Sequence, residues 1–251
     1  MSSPTRVSPE HRAEHTPEAI QRRLSEGPSH SYLRDFVYGA IDGAVTTFAV
    51  VSGVAGAGLS TNIVIILGVA NLLGDGFSMA AGNYLGTKAE AEQRERTRQM
   101  EERHIASFPD GEREEIRQIY AGQGFSGDLL EQIVEVITAD RERWVHTMLR
   151  EEHGLPSIVP HPLRAAATTL IAFILVGMVP LVPFIVGFLI TIPQPYVVST
   201  VMTAVAFFLV GMAKSRFVEQ SWYKAGTETL VIGSLAAGLA FLSGMVLKFV
   251  A

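Results

Sequence analysis

The sequence contains no cysteine, which excludes disulfides, thiolate metal sites and thiol redox chemistry. It has no GxxxxGK[ST] run, so ATP is not a candidate energy source. With a net charge of −5 and no basic stripe interleaved with aromatics, no nucleic-acid partner is expected. Residues 1–23 lack an apolar core and do not read as a secretory signal, so the first apolar run is expected to act as its own insertion signal. The most telling scarcity is of charge. Residues 36–74 and 165–213 together carry one charged side chain, Asp42, whereas charges crowd into 1–35 and 88–164. The overall charged fraction of 18% conceals this segregation, which belongs to an integral membrane protein with a hydrophilic insert.

Apolar stretches run over Leu33–Leu59, Asn62–Leu85, Ala165–Ile190, Tyr196–Ala213 and Thr227–Phe249. Each approaches the roughly 20 residues that cross a bilayer as a helix. The expected fold is all-α: an integral membrane protein of five transmembrane helices, with a small cytoplasmic helical domain inserted between helices 2 and 3. The expected divisions are a flexible cytoplasmic tail over 1–30, transmembrane helices 1 and 2 over 31–87, a cytoplasmic helical metal-binding domain over 88–160, and transmembrane helices 3 to 5 over 161–251. With the N-terminus inside, only Lys248 of the 20 Lys and Arg lies outside, as the positive-inside rule requires. Five spans then put the C-terminus on the far side.

Finer signals set expectations along the chain. His11, His15 and His30 in the tail are not spaced as a compact site. Gly39 and Gly43 form a small-xxx-small pair that lets two helices approach closely, and this face is assigned to a two-fold axis. Helix formers run unbroken after Gly86 until Pro109-Asp110-Gly111, so the second span should continue as one rod. Pro180 and Pro183 should kink the third. The segment 214–228 mixes Lys214, Arg216 and Lys224 with Phe217, Trp222 and Tyr223, an interfacial composition expected to link spans four and five.

Chemistry gathers in two places. Asp35 and Asp42 lie two turns apart in the first span, with Thr46 one turn beyond, and Asn71, Asp75 and Met79 recur every fourth residue on one stripe of the second. A carboxylate in hydrocarbon costs about 2.5–3.5 kcal/mol, so such residues face a partner helix or a watery path. Asp42, Asn71, Asp75 and Met79 are therefore candidates for a transition-metal pathway. In the insert, Glu101/His104, Glu112/Glu115 and Met148/Glu152 each share a helix face and could aim six ligands at one pocket. Carboxylate and imidazole suit Fe(II), Mn(II) and Zn(II). A merely solvated acidic face is the competing reading. Glu101-x-x-His104 is also half of a di-iron carboxylate pattern, but a second such pair is missing, so an oxidase is set aside and no enzymatic activity is expected. A membrane-anchored metal sensor is the other alternative, although it has no need of Asp42 and Asp75 at membrane depth.

From about Tyr32 to the C-terminus the chain resembles the vacuolar iron transporter family. The resemblance is carried by DFVYGAIDGAVTTFAVVSGV, DGFSMAAGNYLGTKAEAE and the FPDGEREE turn. It implies five spans, a homodimer in a lipid bilayer, and proton-coupled movement of Fe(II), with Mn(II) as companion, out of the cytoplasm. It implies a pathway past Asp42 and Met79, and a cytoplasmic metal site at Glu101, Glu112, Glu115, Met148 and Glu152. Two positions depart from the plant and fungal pattern. Asn71 and His104 stand where the family has Glu, and Asp75 is placed one turn on to supply the first missing carboxylate. The membrane is expected to be a bacterial cell membrane.

Overall fold

A computed structural model describes residues 13, 15–26, 31–218 and 220–250, and its secondary structure is helical throughout. The helices are α1 (Pro17–Glu26), α2 (Leu33–Ala57), α3 (Thr61–Ser107), α4 (Pro109–Gly122), α5 (Gly127–Thr138), α6 (Arg141–Glu151) and α7 (Pro162–Gly177). A 3-10 turn at Val179–Leu181, then α8 (Val182–Val186), α9 (Pro195–Val218) and α10 (Trp222–Leu247) complete the chain. Among the described residues, five segments are long and apolar enough to cross a membrane: α2, α3, the run Pro162–Val186, α9 and α10. The rod expected from Gly86 onward is real, since α3 is a single helix of 47 residues.

The chain divides into two compact units, Tyr32–Gln99 with Pro160–Ala251, and Met1–Ser31 with Met100–Val159. In the first, α2 packs against α7, α9 and α10. Glycine sets the separation. A Cβ on Gly43 would strike the Phe173 carbonyl of α7, and one on Gly56 the Phe241 carbonyl of α10. A Cβ on Gly177 would stand 2.8 Å from the Gly43 oxygen, so backbone meets backbone. In lipid such contact is rewarded by dispersion rather than by exclusion of water. Gly39 is likewise pressed against Thr169. The Gly39/Gly43 face is thus consumed inside the chain, which corrects its assignment to a two-fold axis.

Helix α3 instead reaches the core through side chains. Val64 and Leu72 are buried with Phe48, Phe173, Leu181 and Phe207. Gly58, at φ 67°, ends α2 by donating its N–H to the Ala55 carbonyl at 3.1 Å, and the chain reverses into α3. The expected break in the third span occurs between Gly177 and Val182. Pro180 and Pro183 bring no N–H to the ladder, and the Pro180 carbonyl accepts the Ser199 hydroxyl at 2.7 Å. The segment 214–228 is less of a link than expected. Helix α9 runs through Val218 and α10 starts at Trp222, with Lys214 Nζ 3.2 Å from Glu228 Oε2.

The second unit has its own core of Ile105, Ile116, Leu130, Val134, Ile137, Trp144 and Met148. Pro109 opens α4, with Asp110 and Glu112 in its favourable first turn. Gly111 leaves room for the Phe108 ring, which a Cβ would strike. Asp140 caps α6 by accepting the Arg143 N–H at 2.8 Å. Helix α1 forms at 17–26, within the stretch expected to be flexible. His11 and His30 lie outside the described residues.

Candidate functional site

Between α2 and α3 the predicted pathway residues form a polar seam in an apolar bundle. The Asn71 amide donates to Thr46 Oγ1 at 3.1 Å, and Thr46 donates to the Asp42 carbonyl at 2.9 Å. The carboxylates of Asp42 and Asp75 are close enough for their charges to act on each other. Asp42 is half-buried, whereas Asp75 is exposed in the single chain. Met79 is half-buried and packs against the hydrophobic core.

The stripe goes further than the three residues read from the sequence. Asn83 donates to Asp35 Oδ1 at 2.9 Å and to Thr169 Oγ1 at 2.8 Å, and accepts from Thr87 at 3.2 Å. Both amide hydrogens and the carbonyl of Asn83 are therefore engaged, tying three helices together. Asn83 and Thr87 continue the Asn71-Asp75-Met79 spacing at every fourth residue. Extending that period by two steps would have found them.

In the second unit the ligand atoms of Glu101, His104 and Glu112 lie within 4.8 Å of one another, as do those of Glu101, Glu152 and His153. Glu101 is shared by both groups. It is 2% exposed and Glu112 6% exposed. Among the described residues, one oxygen of each, Oε2, is buried with no hydrogen-bond donor beyond what the two carboxyls offer each other. A buried unsatisfied acceptor costs about 1–3 kcal/mol, more when charged; a cation or proton between these oxygens would relieve it. Burial pushes the Glu112 carboxyl up from 4.5 to about 7, and the charges of Glu115, Glu101 and Glu152 push the same way. Burial also raises Glu152, opposed by His153 and His104.

Of the six residues read from the sequence, Glu101, His104, Glu112 and Glu152 thus converge. Glu115 is exposed but near enough for its charge to act on Glu112 and Glu152. Met148 is wholly buried in the hydrophobic core of the unit. His153 was missed; its only sequence signal is a position beside Glu152 at the end of α6.

The fold is that of a multi-pass helical membrane protein with acid–imidazole clusters suited to divalent cations. The sequence pattern of the VIT family matches residues 33–245, and the chain belongs to that family. It is 32% identical over 210 residues to vacuolar iron transporter 1 of Eucalyptus grandis, covering 83% of this chain and 84% of that protein. Vacuolar iron transporter 1 of Arabidopsis thaliana is 31% identical, with 86% of each chain covered. The vacuolar iron transporter of Toxoplasma gondii is 31% identical over 88% of this chain and 76% of its own. These relatives come from plants and an apicomplexan and are named for the vacuole, which overturns the expectation of a bacterial cell membrane.

Proposed function

We propose that this chain is a metal transporter that exports Fe(II), with Mn(II) as a second substrate, from the cytoplasm in exchange for protons. The names of its relatives support iron as cargo. The observation that supports the reading is the closeness of the Asp42 and Asp75 carboxylates on two helices long and apolar enough to cross a membrane. A carboxylate there holds either a proton or a share of a cation, and the two exclude each other on the same oxygens. That exclusion is the minimum requirement for exchange. The Glu101–Glu112 cluster then collects metal on the cytoplasmic side before it enters the membrane path.

The working form is a homodimer. Asp75 is exposed on a membrane helix, and a bare carboxylate facing lipid is costly. Beside it, Gly74, Ser78, Gly82 and Gly86 make an exposed small-residue stripe, with open space over all three glycines. A second copy laid on α3 would cover both. The deciding experiment is Fe(II) flux into liposomes under anaerobic conditions, at clamped voltage, with and without an imposed pH gradient. Flux should rise with the gradient and move protons the other way. Flux that ignores the gradient would mean a passive channel.

A further inference from the structure

We propose that His153 is a direct metal ligand, joining Glu101 and Glu152 in the collecting cluster of this chain. The inference rests on the reading of the second unit as a metal-binding module, and adds a residue and a selectivity to it.

The position of His153 is tightly fixed. Helix α6 ends in a turn in which the His153 N–H donates to the Met148 carbonyl at 3.3 Å and the Leu155 N–H to the Leu149 carbonyl at 2.9 Å. Gly154 at φ 63° permits this reversal, and Leu155 docks on the core of the unit. The imidazole is thereby turned back toward α3. Its Nε2 lies 2.9 Å from Glu101 Oε1 and 3.5 Å from Glu152 Oε2. A single nitrogen thus stands at the apex of two carboxylate oxygens.

Glu101 is 2% exposed, and its other oxygen is buried facing Glu112. That same carboxylate belongs to the His104/Glu112 group, where His104 Nδ1 is 3.5 Å from Glu112 Oε1. The carboxyls of Glu101 and Glu112 face each other closely enough to share a proton, and a cation would take that proton's place between their buried oxygens. With a cation present, His153 would offer its Nε2 lone pair to it beside the Glu101 and Glu152 oxygens. Imidazole nitrogen suits the later divalent metals, whereas carboxylate oxygen suits Mn(II). His153 should therefore raise affinity for Co(II) much more than for Mn(II).

The test uses the full-length protein in detergent, with histidine nitrogens isotopically labelled and Mn(II) bound. In a His104→Ala background, pulsed electron paramagnetic resonance should show one coordinated histidine nitrogen, and adding His153→Ala should remove it. The Co(II) dissociation constant should rise about tenfold or more in His153→Ala, with that for Mn(II) changing far less. Trp144 fluorescence checks that the unit remains folded. A histidine coupling that persists in both proteins, or is absent from both, overturns the proposal and leaves the metal-binding reading standing. Restoration of Co(II) affinity by His153→Gln, which can hydrogen-bond to Glu101, makes His153 a positioning residue and also overturns it. If the wild type binds neither metal, the metal-binding reading falls as well.

Discussion

In the metal-free protein Glu112 should keep its proton until about pH 7, because burial and the carboxylates around it raise its pKa from 4.5. A metal ion requires the deprotonated form, so binding must release that proton. At pH 6 the group is roughly nine-tenths protonated and at pH 8 roughly one-tenth. Metal binding should therefore expel about 0.9 proton from Glu112 at pH 6 and about 0.1 at pH 8. Calorimetry of Mn(II) binding in two buffers of different ionisation enthalpy counts these protons. Glu112→Gln should release nearly one fewer at pH 6 and almost the same number at pH 8. Stability has a sign too. The folded pKa lies above the unfolded value, so the folded metal-free state binds more protons between about pH 4.5 and 7. The contribution of the neutral carboxyl is fully present below pH 4.5 and lost as pH rises through 7, a change of up to about 3 kcal/mol. Trp144, 4% exposed in the same core, reports unfolding by fluorescence in a Trp222→Phe background. Equal proton release by wild type and Glu112→Gln at pH 6, with parallel pH–stability curves, would refute this account.

Asp42→Asn should insert and fold but transport metal about tenfold more slowly or worse; full flux in well-expressed protein ends its place in the pathway. Gly43→Ala should push α2 from α7, since its Cβ meets the Phe173 carbonyl, at a cost of about 1–3 kcal/mol; an unchanged thermal midpoint in detergent contradicts the close contact. Cysteine at Gly82, in a chain with none of its own, should cross-link two copies, whereas cysteine at Gly39 should not. Cross-linking only from α10 would move the dimer interface elsewhere.

The sequence alone determined the features that depend on local composition and period. Membrane spans show in the scarcity of charge, because lipid penalises charge wherever it falls. The 47-residue α3 shows in an unbroken run of helix formers up to Pro109. The pairing of Glu101 with His104 on α3 shows because residues three apart share a helix face. Partner choice was not written there. Small residues at Gly39 and Gly43 announce a close approach, but only packing made α7 the neighbour. Asn83 gains its meaning from Asp35, 48 residues away, and from Thr169, 86 away. His153 gains its meaning from Glu101, 52 residues away, through a turn that Gly154 allows. Such contacts depend on how far apart and at what rotation whole helices come to rest. That is decided by the summed packing of the bundle, and no local window of sequence contains it.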